Sequence, residues 1–155
     1  MTFKDACVDL LLLQKEKGIK KNCVLNCFYI WKKYKQSIPS LEIKVGVFIS
    51  LHRSILDVVV HTWLEVVRDN EKYIHDVSYD VLMMKEKAQN FTYINFQKYC
   101  EMEGSTPYNK RDVLKRILGL EESVKEAKQM FQGELSLQEY LSFTKLNNLL
   151  IAKLR

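Results

Sequence analysis

The sequence predicts an α+β fold, and two observations lead to that prediction. In the middle of the chain, β-branched residues alternate with others over residues 41–51 and 57–67, which is typical of strands in a sheet. On both sides of this segment, apolar residues recur at helical spacing behind residues that favour helix starts. With 155 residues, 47% of them apolar and 28% charged, the chain is predicted to form one ordered domain over residues 1–155.

Two helices are predicted before the sheet. Thr2 opens a capping-box pattern, and apolar residues continue at helical spacing as far as Gly18. Asn22 is a suitable N-cap for a second helix, whose apolar face ends before Pro39. This assignment places Cys23 in the first turn of the second helix.

Three strands are predicted in the middle of the chain. Residues 41–51 and 57–67 carry the first two, and residues 73–78 carry a short third one. The polar residues 68–72 lie between the second and the third. Residues 58–78 are therefore predicted to form a β-hairpin.

The chain after Asp80 is predicted to be helical. Thr106 followed by Pro107 places a proline at a first helical position, and Ser136 with Glu139 forms another capping box. An aromatic-rich stretch is predicted to form one helix face that packs on the core, with a partner or substrate groove as the alternative. Its members are Phe91, Tyr93, Phe96 and Tyr99.

Composition argues for a cytoplasmic protein without a membrane span. The apolar run of residues 10–13 is too short for a span or for the core of a signal peptide. The 4 cysteines show no Cys-x-x-Cys spacing, and a reducing compartment would keep them as thiols. The net charge of +5 is concentrated in the N-terminal third, but no nucleic-acid motif accompanies it. Nucleic acid is therefore not expected as a partner.

Three residues stand in settings that suit a catalytic thiol, its base and an orienting carboxylate: Cys23, His61 and Asp76. The partial positive charge of a helix N-terminus favours a thiolate at Cys23 over the neutral thiol. Lys20 and Lys21, which precede Cys23, act in the same direction if they lie close to it. His61 supplies a group that exchanges protons near neutral pH.

The predicted hairpin brings Asp76 to the same face of the sheet as His61 in two alternative registers. A turn at residues 68–69 places Asp76 directly opposite His61, whereas a turn at residues 69–70 places it opposite Trp63 and diagonal to His61. A shift by one residue would send Asp76 to the other face. The catalytic hypothesis therefore requires a register that keeps Asp76 and His61 on the same face.

At these residues the sequence resembles the transglutaminase-like superfamily of papain-related cysteine enzymes. That family presents a cysteine at the start of a helix, a strand with His-x-Trp-x-Glu, here His61 to Glu65, and a neighbouring strand with aspartate. The resemblance covers about residues 18–80, with residues 81–155 as a helical extension. It implies a minimal transglutaminase-like or papain-like core, in which a Cys-bearing helix packs on a small antiparallel sheet. It also implies Cys23 as nucleophile, His61 as base and Asp76 as orienting acid.

The resemblance further implies an acyl-transfer reaction through a cysteine thioester. A peptide or protein substrate is expected, with hydrolysis of a peptide, isopeptide or side-chain amide preferred over transfer to an amine. The alternative is a catalytically inactive transglutaminase-like module that binds a protein or an acidic partner.

The cysteines also have a purely structural interpretation. A thiol in an apolar helix is commonly a small buried hydrophobe, which is the predicted role of Cys7, Cys27 and Cys100. The same role is the alternative for Cys23.

Asn22 and Trp63 are the predicted substrate-cleft residues, although Trp63 equally suits the core. No metal or cofactor is predicted, because one conceivable ligand set matches no common zinc spacing. That set is Cys23, Cys27, His61 and His75.

Overall fold

The computed structural model describes residues 23–52, 55–79, 81–88, 92–101 and 109–130. It also describes four helical positions nearer the N-terminus, Asp5, Val8, Leu12 and Glu16. The rest of the helix predicted over residues 2–18 lies outside the described residues, and so do Asn22 and the capping box at Ser136. Within the described ranges the fold is α+β, as predicted, with helices and a five-stranded antiparallel sheet.

The sheet has the strand order β4-β3-β2-β1-β5. Its strands are β1 (Glu42–His52), β2 (Ile55–Arg68), β3 (Glu71–Asp76), β4 (Val81–Lys85) and β5 (Tyr93–Asn95). The helices are α1 (Cys23–Tyr34), α2 (Phe96–Glu101) and α3 (Lys110–Met130). Two short 3-10 helices, Val77–Tyr79 and Glu86–Ala88, follow β3 and β4.

The turn between α1 and β1 is held by one lysine. Lys35 Nζ donates to the carbonyl oxygen of Pro39 at 2.8 Å and to that of Leu41 at 2.9 Å. Because these carbonyls lie on the turn, the lysine satisfies backbone groups that neither the helix nor the strand pairs. The contact directs the chain from the end of α1 into the sheet.

The hairpin of β2 and β3 has the second of the two predicted registers. Asp69 and Asn70 form its turn with φ angles of 52° and 63°, and Arg68 pairs with Glu71. Positive φ at both central residues is the signature of a type I′ turn, which Asp and Asn tolerate better than other side chains. The ladder continues to the pair Leu64 and His75, so Asp76 follows on the same face as His61.

The two faces of the sheet pack differently. On one face α1, α2 and α3 contribute to the helix-side cluster, which consists of Val24, Val45, Val47, Ile94, Tyr99, Val113, Ile117 and Val124. On the other face lies the aromatic cluster, which consists of Phe48, Trp63, Ile74 and Tyr93. Alternation along β1 and β2 assigns neighbouring residues to opposite clusters, as expected for a sheet that is buried on both sides.

The prediction of an entirely helical chain after Asp80 is wrong. Two further strands, β4 and β5, lie in this part, and Tyr93 belongs to β5 rather than to a helix face. Phe96 and Tyr99 do lie on a helix, α2, and both pack on the helix-side cluster. The strands were missed because they are five and three residues long, too short to show alternation.

The helix predicted from Pro107 begins later than expected. Asn109 Oδ1 accepts a hydrogen bond from Arg111 N at 2.9 Å, so Asn109 caps α3 and Lys110 is its first residue. Pro107 itself lies outside the described residues. None of the helices in the described ranges is both long and apolar enough to cross a membrane.

Candidate active site

The site forms where β3 separates from β2. The ladder between the two strands ends at the pair Leu64 and His75, so the part of β2 before Leu64 is not paired with β3. Side chains of α1 contact β2 there instead, and the Cys27 thiol donates to the carbonyl oxygen of Thr62 at 3.5 Å. The first turn of α1, which carries Cys23, lies beside His61 and Thr62.

His61 and Asp76 form a short, buried contact. His61 Nε2 lies 2.6 Å from Asp76 Oδ2, and both side chains are almost completely shielded from solvent. A carboxylate that faces one ring nitrogen fixes the orientation of the imidazole. Because Asp76 occupies Nε2, Nδ1 is the nitrogen left to exchange a proton with a thiol.

The Asp76 carboxylate accepts hydrogen bonds from two further groups. The Tyr93 hydroxyl donates to Oδ2 at 2.7 Å, and the backbone N–H of Ser78 donates to Oδ1 at 3.1 Å. Asn26 of α1 donates in turn from Nδ2 to Ser78 Oγ at 3.4 Å. The 3-10 helix after β3 therefore links the carboxylate to the helix that carries Cys23.

The environment of Cys23 favours its thiolate. Burial by itself raises the pKa of the thiol, but a hydrogen bond with His61 and the charge of that imidazole lower it. The backbone of Thr62 contributes in the same direction, and the net result is a lowered pKa. Cys23 is only partly buried, and it packs against the helix-side cluster.

The pKa of His61 changes in the opposite direction. Burial alone would lower it, but hydrogen bonds and charge interactions with Asp76 and Cys23 raise it from 6.5 to about 9. A lowered thiol pKa beside a raised imidazole pKa describes a thiolate and imidazolium pair. Both shifts favour the ionic pair over the neutral thiol and neutral imidazole.

The other cysteines have different environments. Cys27 is buried, as predicted, and its thiol contacts a backbone carbonyl. Cys100 is exposed on α2, so its prediction as a buried hydrophobe is wrong. Cys7 lies outside the described residues. The thiol that pairs with the His61 imidazole is that of Cys23.

Aromatic rings surround His61. Its ring centroid lies 5.9 Å from that of Phe48, 6.4 Å from that of Trp63 and 5.0 Å from that of Tyr79. Tyr79 is 47% exposed, whereas Trp63 is 2% exposed. Tyr79 thus forms the solvent side of this set of rings, and Trp63 lies in the core.

The structure brings together Cys23, His61 and Asp76, the three residues predicted for catalysis. Trp63 lies beside His61 but inside the aromatic cluster, so its assignment to a substrate cleft stays a prediction. Asn22 lies outside the described residues. Within those residues, no group of three or more His, Cys, Asp or Glu side chains is arranged to hold a metal ion.

Two residues of the site were not found from the sequence. Tyr93 donates to Asp76 from a strand of three residues, and nothing in the pattern around it distinguishes it from an ordinary core tyrosine. Thr62 meets α1 through its backbone, since its carbonyl oxygen accepts from the Cys27 thiol at a part of β2 that β3 does not pair, and the residue type gives no signal of this. Searches of protein families, curated proteins and solved structures found no match to this chain.

Proposed function

We propose that this protein is a cysteine-dependent acyl-transfer enzyme in which Cys23 is the nucleophile, His61 the proton carrier and Asp76 the orienting acid. The observation that carries the proposal is that the His61 imidazole contacts both a carboxylate and a thiol. His61 Nε2 lies 2.6 Å from Asp76 Oδ2, and the same ring pairs with the Cys23 thiol. A nucleophile, its base and a group that orients the base are the parts that thiol catalysis requires.

The reaction begins with the Cys23 thiolate and the His61 imidazolium. The sulfur attacks the carbonyl carbon of an amide, a C–S bond forms, and the π electrons move to the oxygen. His61 then gives its proton to the leaving nitrogen as the C–N bond breaks, which releases an amine and leaves a thioester on Cys23. Water, deprotonated by the neutral His61, attacks the thioester and releases the carboxylic acid and the free thiolate.

The position of Asp76 gives it the orienting role. Its carboxylate contacts the imidazole nitrogen that does not face the thiol, and it is fixed by donors from the backbone of Ser78 and the side chain of Tyr93. A buried carboxylate held in this way stabilises the imidazolium that accompanies the thiolate. It also keeps the ring turned so that Nδ1 faces Cys23.

The substrate that this chemistry suits is a peptide or protein amide, with water as the preferred acceptor. We propose a minimal transglutaminase-like core, in keeping with the order of helix, His-bearing strand and Asp-bearing strand along the chain. A cytoplasmic location belongs to the same proposal and is supported by the free thiols of Cys23, Cys27 and Cys100.

A labelling experiment tests the nucleophile. At pH 7, iodoacetamide should modify Cys23 at least about tenfold faster than the exposed Cys100, since Cys23 pairs with the His61 imidazole. His61→Ala should remove this advantage. Cys27→Ala, which removes a neighbouring thiol of the same helix, should keep it.

A turnover experiment tests the reaction. Release of amine from a panel of peptide and glutamine side-chain amides should be lost in Cys23→Ala and kept in Cys27→Ala. An unchanged rate in Cys23→Ala would remove the thiol mechanism. If Cys23 also reacts no faster than Cys100, the remaining function is the non-catalytic interaction module.

A further inference from the structure

We infer that Tyr93 is a positioning residue of this site, whose hydroxyl sets both the orientation of Asp76 and the strength with which Asp76 holds His61. The inference rests on the proposed function. It adds to the site a residue that acts on the imidazole through the carboxylate of Asp76.

The geometry behind this inference is the sharing of one carboxylate oxygen. Asp76 Oδ2 accepts from His61 Nε2 at 2.6 Å and from the Tyr93 hydroxyl at 2.7 Å. Two donors on one oxygen compete for the same electron density, so each hydrogen bond is weaker than it would be if the other donor were absent. The Tyr93 hydroxyl therefore moderates the attraction of Asp76 for the imidazolium.

The hydroxyl remains a donor at every pH of interest. Tyr93 is 4% exposed, and burial, followed by the negative charge of Asp76, raises the pKa of the phenol above its usual range. A phenol that does not ionise keeps its proton on the side of the carboxylate. The hydrogen bond to Asp76 is thus a permanent part of the site.

The ring of Tyr93 is held in place independently of its hydroxyl. Its backbone pairs with Phe48 in the ladder of β1 and β5. Its ring lies edge-on to that of Trp63, with 5.1 Å between the ring centroids. It is tilted against the ring of Phe48, with 5.0 Å between the centroids. Removing the hydroxyl alone should leave the ring where it is, which separates the effect of the hydrogen bond from that of packing.

Several titratable groups face this arrangement. Cys23 approaches His61 from α1, Asp76 approaches it from β3, and Tyr79 approaches it from the 3-10 helix that follows. Tyr93 enters from β5 and interacts with the charges of Asp76, Tyr79 and Cys27. Tyr93 is the one among these that shares the Oδ2 atom with His61.

The test compares two tyrosine substitutions. Tyr93→Phe removes the shared donor, so the titration midpoint of His61, followed by NMR of its ring protons, should rise by about half a pH unit. Tyr99→Phe is the matched control, because the buried Tyr99 hydroxyl has no hydrogen-bond partner in the described part of the chain. The control should leave the His61 midpoint unchanged.

Further measurements separate the possible outcomes. In an Asp76→Asn background, Tyr93→Phe should cause no additional shift, since the charge that it moderates is gone. An unchanged or lowered His61 midpoint in Tyr93→Phe overturns the role of Tyr93. If His61→Ala slows labelling of Cys23 in the same protein, the proposed function stands even when the Tyr93 inference fails.

A measurement on the unmodified protein covers the case in which Tyr93→Phe does not fold. A hydroxyl proton in a short, buried hydrogen bond exchanges slowly with water, so Tyr93 should show its own proton resonance in the native protein. This resonance should disappear in Asp76→Asn. Its absence from the native spectrum overturns the inference.

Discussion

Trp63 lies so close to Gly46 that a Cβ atom on Gly46 would come within 2.7 Å of Trp63 Cη2. The same atom would overlap the carbonyl oxygen of Ile94 and lie 2.9 Å from the Cα of Asn95. Gly46 pairs with both His61 and Asn95, so it lies between the strand of the proposed base and the strand of Tyr93. A side chain at this position would separate elements that the site needs together.

Gly46→Ala should therefore destabilise the protein. We expect the free energy of unfolding to fall by about 1 to 3 kcal/mol, because backbone atoms of β5 and the buried indole must move to admit a methyl group. Denaturation in guanidinium chloride measures the loss. Gly119→Ala is the matched control: nothing lies within 4 Å of its added Cβ, so it should raise stability by up to about 1 kcal/mol. Equal stability of the two variants would contradict the packing described here.

The charge of His61 should change the relative rates at which two alkylating reagents modify Cys23. Because its pKa is raised to about 9, the imidazolium stays beside the thiolate up to that pH and attracts the anion iodoacetate. The ratio of iodoacetate to iodoacetamide rates at Cys23 should be high at pH 7. It should fall roughly tenfold as the pH passes through the His61 pKa.

Mass spectrometry of the two alkylated peptides gives this ratio at each pH. Cys100 serves as the internal control, with a ratio that should stay level over the same range because it is exposed and pairs with neither His61 nor His75. A break near pH 6.5, the ordinary value for histidine, would show that Asp76 and Cys23 do not hold the charge on His61.

His75 should reduce stability at acid pH. Burial lowers its pKa from 6.5 to about 4, and its Nδ1 accepts a hydrogen bond from Met83 N at 3.3 Å. The unfolded chain takes up a proton below pH 6.5, but the folded protein does so only below about pH 4. As the pH is lowered from 6.5 to about 4, the free energy of unfolding should therefore decrease by up to roughly 3 kcal/mol.

His75→Asn isolates this effect, because the Asn side-chain oxygen can still accept from Met83 N but does not titrate. Denaturation at pH 7 and pH 4.5 should show a loss in the native protein that exceeds the loss in the variant by about 2 to 3 kcal/mol. Equal losses would mean that some other group accounts for the acid sensitivity.

The turn at Asp69 and Asn70 should respond to the residue type that it carries. Asn70 has a φ of 63°, which glycine adopts without strain and a β-branched residue does not. We expect Asn70→Gly to match or exceed native stability, and Asn70→Val to lose about 1 to 2 kcal/mol. Thermal unfolding compares them, and equal melting temperatures would argue against the type I′ turn.

The two long strands and the two candidate registers could be predicted because their signals are local, whereas the short β3 begins and ends two residues earlier than the predicted 73–78. β1 and β2 have 11 and 14 residues, long enough for alternation to show, and the dipeptide Asp69-Asn70 favours the turn that is observed. The faces of His61 and Asp76 follow from this register without any knowledge of the rest of the chain.

The features that escaped prediction depend on contacts between distant segments. β5 is a strand because three residues pair with β1 beside Gly46, and no three-residue pattern signals that pairing. β4 contains Met83 at a φ of 55°, a conformation that its side chain does not favour. The approach of Cys23 to His61 likewise depends on the point at which β3 leaves β2, which long-range packing determines.

The lengths of the outer strands affect how readily the protein aggregates in concentrated solution. β4 and β5 form the two borders of the sheet and have five and three residues, and β4 is further interrupted by a bulge opposite Ile74 and Asp76. Short or irregular edge strands offer an incoming strand few consecutive unpaired backbone N–H and C=O groups. We therefore expect little tendency toward fibril growth by strand addition, and samples concentrated enough for NMR should resist that form of aggregation.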